Sequence, residues 1–197
     1  MSLRNTVIWF ALLANAWIAD AKSGQVIRDG FLDLSTWNAA QSPVIELSGD
    51  WEFYWSQLLE PSEFAFASPK GSELLRVPGG WYRHSNHPKH GYATYRLRVK
   101  LDLIRDIAFS WPTVWSASRI YLDGVLIDEK GIVGTVDDPK TYKPGVRNGH
   151  RAFRPKSTEF DIVIHASSFE FFSTGLSSPP QLGTVLGIQN MRERSFH

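Results

Sequence analysis

The chain contains no cysteine, so no disulfide staples it and no thiolate is at hand as nucleophile or metal ligand. An excess of one charge is also missing: 21 basic against 20 acidic side chains leave a formal net charge of +1. That balance gives no global electrostatic case for nucleic acid or for an acidic partner. Beyond the first residues no apolar run approaches the ~20 residues that a membrane-crossing helix needs. Helical periodicity is scarce too, and no convincing helix longer than about two turns is expected after the N-terminal segment. What the chain has in quantity is aromatic mass, with 8 Trp, 12 Phe and 6 Tyr in 197 residues. A chain of this length fits one domain and can remove roughly 70% of its unfolded surface from water, so it needs no staple to fold.

The N-terminus has the layout of an export signal. Arg4 supplies a positive start, residues 6–18 are an apolar run interrupted by Asn15, and Ala19-Asp20-Ala21 has the A-x-A form of a cleavage site. The expected division is a signal peptide over residues 1–21, a mature domain over 22–190, and a tail or start of a linker to a membrane segment over 191–197. A bacterial periplasm is the compartment this implies.

Strand signals fill the mature chain. In Gly49-Asp50-Trp51-Glu52-Phe53-Tyr54-Trp55 the period of two puts Trp51, Phe53 and Trp55 on one face and Glu52 and Tyr54 on the other. Residues 92–102 alternate most cleanly: Ala93, Tyr95, Leu97, Val99 and Leu101 point to a core, Thr94, Arg96, Arg98, Lys100 and Asp102 to solvent. Further strands are expected at 30–34, 44–47, 74–77, 106–111, 117–122, 125–128, 159–166 and 184–188. Asp123-Gly124 forms a two-residue hairpin turn between two of them. Many short strands punctuated by Gly and Pro predict an all-β fold, a jelly-roll β-sandwich.

Several fragments, read together, carry a family likeness: Asp29-Gly30-Phe31-Leu32-Asp33-Leu34 with Trp37, Leu47 to Trp55, Val77-Pro78-Gly79-Gly80-Trp81, Gly91-Tyr92-Ala93-Thr94-Tyr95-Arg96-Leu97, Arg119-Ile120-Tyr121-Leu122-Asp123-Gly124 and Gly131-Ile132-Val133-Gly134. In order and spacing they resemble the extracellular sensor module of bacterial seven-transmembrane receptors with diverse intracellular signalling modules. That module is a galactose-binding-like jelly roll, related to the sugar-binding domain of family 2 glycoside hydrolases. The resemblance implies a periplasmic sensor domain for a small polar or carbohydrate ligand, coupled to a membrane-embedded signalling region, with no nucleic acid as partner. The chain departs from the pattern at Ser167-Ser168-Phe169, where such modules have Ser-Asn-Phe, and no membrane helices follow within it.

Two loops are the candidate ligand site. One holds Trp81, Tyr82, Arg83, His90 and Tyr92; an aromatic face suits the apolar face of a sugar ring, with polar neighbours for its hydroxyls. The other, residues 139–156, is free of acids and places Lys140, Arg147 and Arg151 among Tyr142 and Phe153. Base mixed with aromatic suits anionic sugars, phosphates or lipid headgroups, and a solvated basic loop is the equal alternative. His84, His87 and His90 recur every third residue, but Pro88 and Gly91 argue against the helix that would align them on a metal. Asp123, Asp128, Glu129, Asp137 and Asp138 lack calcium-loop spacing, so structural calcium is a minor expectation and no other cofactor is called for. No catalytic constellation stands out. The expected function is noncatalytic ligand binding; the alternatives are an envelope protein-interaction domain and, third, a metal-dependent envelope hydrolase using the histidines.

Overall fold

The computed structural model describes residues 26–66, 69–138, 140–145, 147–170 and 174–194, so the signal-peptide expectation lies outside the described residues. In chain order the strands are β1 (Phe31–Leu34), β2 (Val44–Glu46), β3 (Gly49–Trp55), β4 (Glu73–Val77), β5 (Gly91–Leu101), β6 (Ile107–Trp111), β7 (Val114–Trp115), β8 (Ala117–Leu122), β9 (Val125–Lys130), β10 (Gly149–Phe153), β11 (Glu159–Ser168), β12 (Gly175–Leu176) and β13 (Gln181–Gly183). One helical turn, α1 (Trp81–His84), precedes β5, and helix α2 (Val185–Arg194) follows β13.

The larger sheet has the order β4-β3-β5-β11-β8-β9, and β1 pairs in parallel with the far part of β5, Phe31 opposite Arg98 and Leu34 opposite Leu101. The smaller sheet has the order β10-β6-β13-β2. Alternation turns Trp51, Phe53, Tyr95, Leu97, Ile162 and Ile164 of the first toward Ile45, Ile107, Phe109 and Leu182 of the second, and all are buried in one core. Each such side chain contributes about 1.5 to 3 kcal/mol through removal of apolar surface from water. This is the all-β sandwich that the strand pattern predicts. The β8–β9 hairpin also forms as expected, with Asp123 at φ 49° and Gly124 at φ 77°.

Three expectations fail, one of them that no helix longer than about two turns follows the N-terminal segment, since α2 has 10 residues. The outward face of β5 is not solvated throughout, because residues 56–66 fold over it and bring Leu59 and Phe64 against Tyr54, Tyr121 and Val163. Thr94 and Arg96 are buried beneath that cover. The strand expected over 184–188 is instead the start of α2, whose Thr184 Oγ1 accepts the Gly187 N–H at 3.0 Å in the manner of an N-cap. Arg192 and Arg194 lie in its last turn, where positive charge suits the helix dipole. The sheet strand is the preceding Gln181–Gly183, and the tail assigned to 191–197 is helical through Arg194.

Candidate functional site

The two loops of the sequence-predicted site rise from β5 and β9, which have β11 and β8 between them in the larger sheet. In the first loop, Trp81 is a core residue. Its ring is fully buried, packs near Phe53 and Trp55, and its Nε1 donates to the carbonyls of Pro88 and Lys89 at 3.0 Å each. No face is left to stack on a ligand, which corrects its assignment. Around it Tyr82 is half-buried with the Arg83 guanidinium over its ring, Arg83 Nε donating to the Tyr82 hydroxyl at 2.9 Å. His90 is exposed, and Tyr92 is half-buried at the start of β5. His87 stacks on Trp55 with its Nε2 2.7 Å from Glu73. Among the described residues no group of three or more His, Cys, Asp or Glu side chains comes together to hold a metal. Of the calcium candidates, Asp128 and Glu129 are engaged by Lys130 and Arg119, and Asp123 Oδ2 accepts the Lys156 N–H.

The second loop divides. Tyr142 is buried edge-on to Phe169 with its hydroxyl bonded to Ser116 Oγ, so it too is structural and its place in the ligand set is withdrawn. Lys140 is exposed. Arg147 and Arg151, by contrast, converge on a cleft of about 340 Å³ between edge strands β9 and β10, which Trp111, Asp128, Asn148 and His150 also line. Hairpin register places Asp128 opposite Ile120, and its carboxylate is buried. Asp128 Oδ1 is held by Lys130 Nζ and by Arg147 Nη2, the latter at 3.3 Å. Its Oδ2 has no hydrogen-bond partner, nor has the buried Trp111 Nε1. The close approach of the Trp111 indole to Gly149 leaves no room for a side chain at that position. Arg151 makes no ion pair among the described residues. Asp128 and Trp111, each with one buried unmatched polar atom, and the unpaired Arg151 are residues of the same concavity. A hydroxyl both donates and accepts, which makes hydroxyl-bearing ligands the chemical match.

The sequence offers Asp128 only as a minor calcium candidate and does not point to Trp111 as a binding residue. The available signal was Asp128 and Lys130 two apart on a strand, which puts both on one face.

The face under the 56–66 cover carries a second polar cluster. Arg96 donates from Nη1 to Glu52 at 3.2 Å and from Nη2 to Asp161 at 2.9 Å, lies over the Phe64 ring, and Glu52 also accepts the Tyr54 hydroxyl at 2.8 Å. Burial, with the Glu52 carboxylate beside it, pushes the Tyr54 phenol up to about 12. His165 Nε2 lies 2.7 Å from the Leu59 carbonyl, so its N–H ties the cover to the sheet, while Nδ1 has no partner. Burial holds this imidazole below the usual histidine range, against the Leu59 carbonyl and the carboxylates of Glu60 and Glu63, with Arg119 also near. The folded state therefore resists a proton that the unfolded chain accepts near pH ~6.5. Stability is full above that value and is lost as pH falls toward the lowered folded-state pKa. We expect the urea midpoint to fall between about pH 7.5 and about pH 5, and to fall less in His165→Gln; equal falls would remove His165 as the cause.

No family model matches the chain, and no curated protein matches it. Solved structures share its fold. A β-glucuronidase from glycoside hydrolase family 2 aligns with a TM-score of 0.52 at 11% identity, over 71% of this chain and 17% of that one. A β-glucuronidase from an uncultured Clostridium sp. aligns at 0.49 and 13% identity, over 72% and 29%. A putative β-galactosidase from Bacteroides fragilis aligns at 0.49 and 16% identity, over 71% and 22%. The chain spans less than a third of the length of these enzymes. The likeness is one of fold, that of a β-sandwich.

Proposed function

We propose that this domain is a noncatalytic ligand-binding module that takes a carbohydrate or a similarly hydroxyl-rich molecule in the cleft between β9 and β10. The observation that carries the reading is the pair of unpartnered buried polar atoms, Asp128 Oδ2 and Trp111 Nε1, in residues that line that cleft beside Arg147 and Arg151. Polar atoms left unmatched in a buried site cost about 1 to 3 kcal/mol each, and a ligand that satisfies them recovers part of that cost. The family likeness of the sequence supports placing this module in the periplasm as the sensor of a membrane signalling receptor, with ligand occupancy read by membrane helices beyond the chain.

Calorimetric titration against neutral and acidic saccharides tests the reading. Saturable binding is expected, and Arg147→Ala should weaken it by about 1 kcal/mol, because this side chain is 69% exposed and bonds a carboxylate already held by Lys130. Absence of binding across the panel would overturn the proposal.

A further inference from the structure

A second concavity of about 450 Å³ lies on the outer face of the smaller sheet, where α2 borders it. Glu46, Ser110, Gln181 and Arg192 line it, together with Trp111 and Asn148, which line the β9–β10 cleft as well. The sheet register explains how the two join. Gln181 on β13 sits opposite Glu46 on β2 and opposite Ser110 on β6, and Ser110 in turn sits opposite His150 on β10. His150 lines the cleft. A polar row thus crosses four adjacent strands without a break, about 14 Å from Glu46 to His150 at the usual strand spacing.

The row is not uniform in charge. Its groove end offers the Gln181 amide, the Ser110 hydroxyl, the Glu46 carboxylate and the Arg192 guanidinium, groups that bond neutral hydroxyls; the one acid and the one base there offset each other in charge. Its cleft end offers Arg147, Arg151 and His150, and the one acid there, Asp128, is already paired with Lys130 and Arg147. With Arg192 set against Glu46 in the groove, the excess of positive charge is at the cleft end. Guanidinium groups bond carboxylate or sulfate oxygens in a fork geometry that hydroxyls do not match. Each concavity alone falls within the ~300 to 1,000 Å³ of small-molecule sites, and together they exceed one pyranose ring.

Resting on the carbohydrate reading above, we propose that the ligand is an oligosaccharide of at least two units bound across both concavities. Its acidic unit sits in the cleft against Arg147 and Arg151, and a neutral unit lies in the groove against Gln181 and Ser110. Trp111 and Asn148 form the boundary between the two subsites.

The test is calorimetric titration of the full chain with four probes: glucuronic acid, xylobiose, the disaccharide glucuronosyl-xylose, and a monosulfated digalactose. The acidic disaccharide should bind at least about tenfold more tightly than either glucuronic acid or xylobiose. Gln181→Ala should weaken glucuronosyl-xylose about tenfold and leave glucuronic acid unchanged, whereas Arg151→Ala should weaken all three acidic probes and leave xylobiose unchanged. Gln181 and Arg151 lie outside the core, so both variants should keep the parent melting temperature. Tighter binding of the sulfated probe than of the uronate assigns the anion to a sulfate ester, the reverse to a carboxylate. If saccharides bind but the disaccharide gains nothing over its parts, or Gln181→Ala leaves it untouched, the two-subsite inference is overturned and the ligand-binding reading stands. If none of the probes binds, the carbohydrate reading itself falls.

Discussion

Replacing Arg96 by alanine is expected to cost about 3 to 5 kcal/mol of folding stability. The guanidinium is 5% exposed and joins Glu52 and Asp161 beneath the 56–66 cover. Its removal strands two carboxylates on a covered sheet face and empties the space over Phe64. Part of the loss will be softened because the Asp161 side chain is 25% exposed and can recover water, which favours the lower end of that range. Urea unfolding measures it, and the triple change Glu52→Gln, Arg96→Met, Asp161→Asn should restore much of the loss, since a neutral cluster leaves no charge unpaired. A single-site loss below about 1 kcal/mol would mean that the cluster is solvated in solution and that the cover stands open.

Trp81→Ala should be the other large effect, again about 3 to 5 kcal/mol, and it should act on folding whatever ligand is present. The indole fills the space beside Phe53 and Trp55, and its N–H satisfies two carbonyls of the Pro88–Lys89 turn. Deleting it opens a cavity in the aromatic layer and frees that turn. Tyr82→Ala, one residue on, removes a half-buried ring and should cost clearly less. Thermal melts of the two variants decide the point: equal melting temperatures would contradict the core placement of Trp81.

Much of the sandwich was legible because period-two alternation reports directly on burial where a strand has one wet face. β5 illustrates both the reach and the limit of this signal. Tyr95, Leu97 and Val99 were correctly assigned inward, but the same pattern assigned Arg96 to water. Alternation describes a face, and it carries no information on whether a distant segment will cover that face. Trp81 failed for a related reason. Pro78-Gly79-Gly80 truthfully signals a turn, yet a turn can deliver a side chain into the core as readily as onto the surface. The residues 184–188 failed on period, since a run as short as Val185-Leu186-Gly187-Ile188 suits strand and helix equally; Thr184 as a capping residue was the discriminating sign. In the candidate site, charge was legible and partnership was not. Arg147 and Arg151 stood out as bases, whereas Asp128 and Trp111 matter because β9 and β10 meet at the sandwich edge, a juxtaposition of residues far apart in the chain.

The position of β13 between β6 and β2 bears on how the domain comes into being. These three residues arrive near the end of the chain, yet they bond on one side to a strand at residues 107–111 and on the other to one at residues 44–46. Until they emerge, β2 has no neighbour in its sheet and Ile45 has no buried seat. Order of synthesis is therefore not order of assembly, and a chain delivered from its N-terminus must remain open until its last strand is through. Such long-range closure slows folding and exposes strand edges meanwhile, so a chain cut before Gln181 leaves a nucleus with an unfinished side rather than a smaller domain.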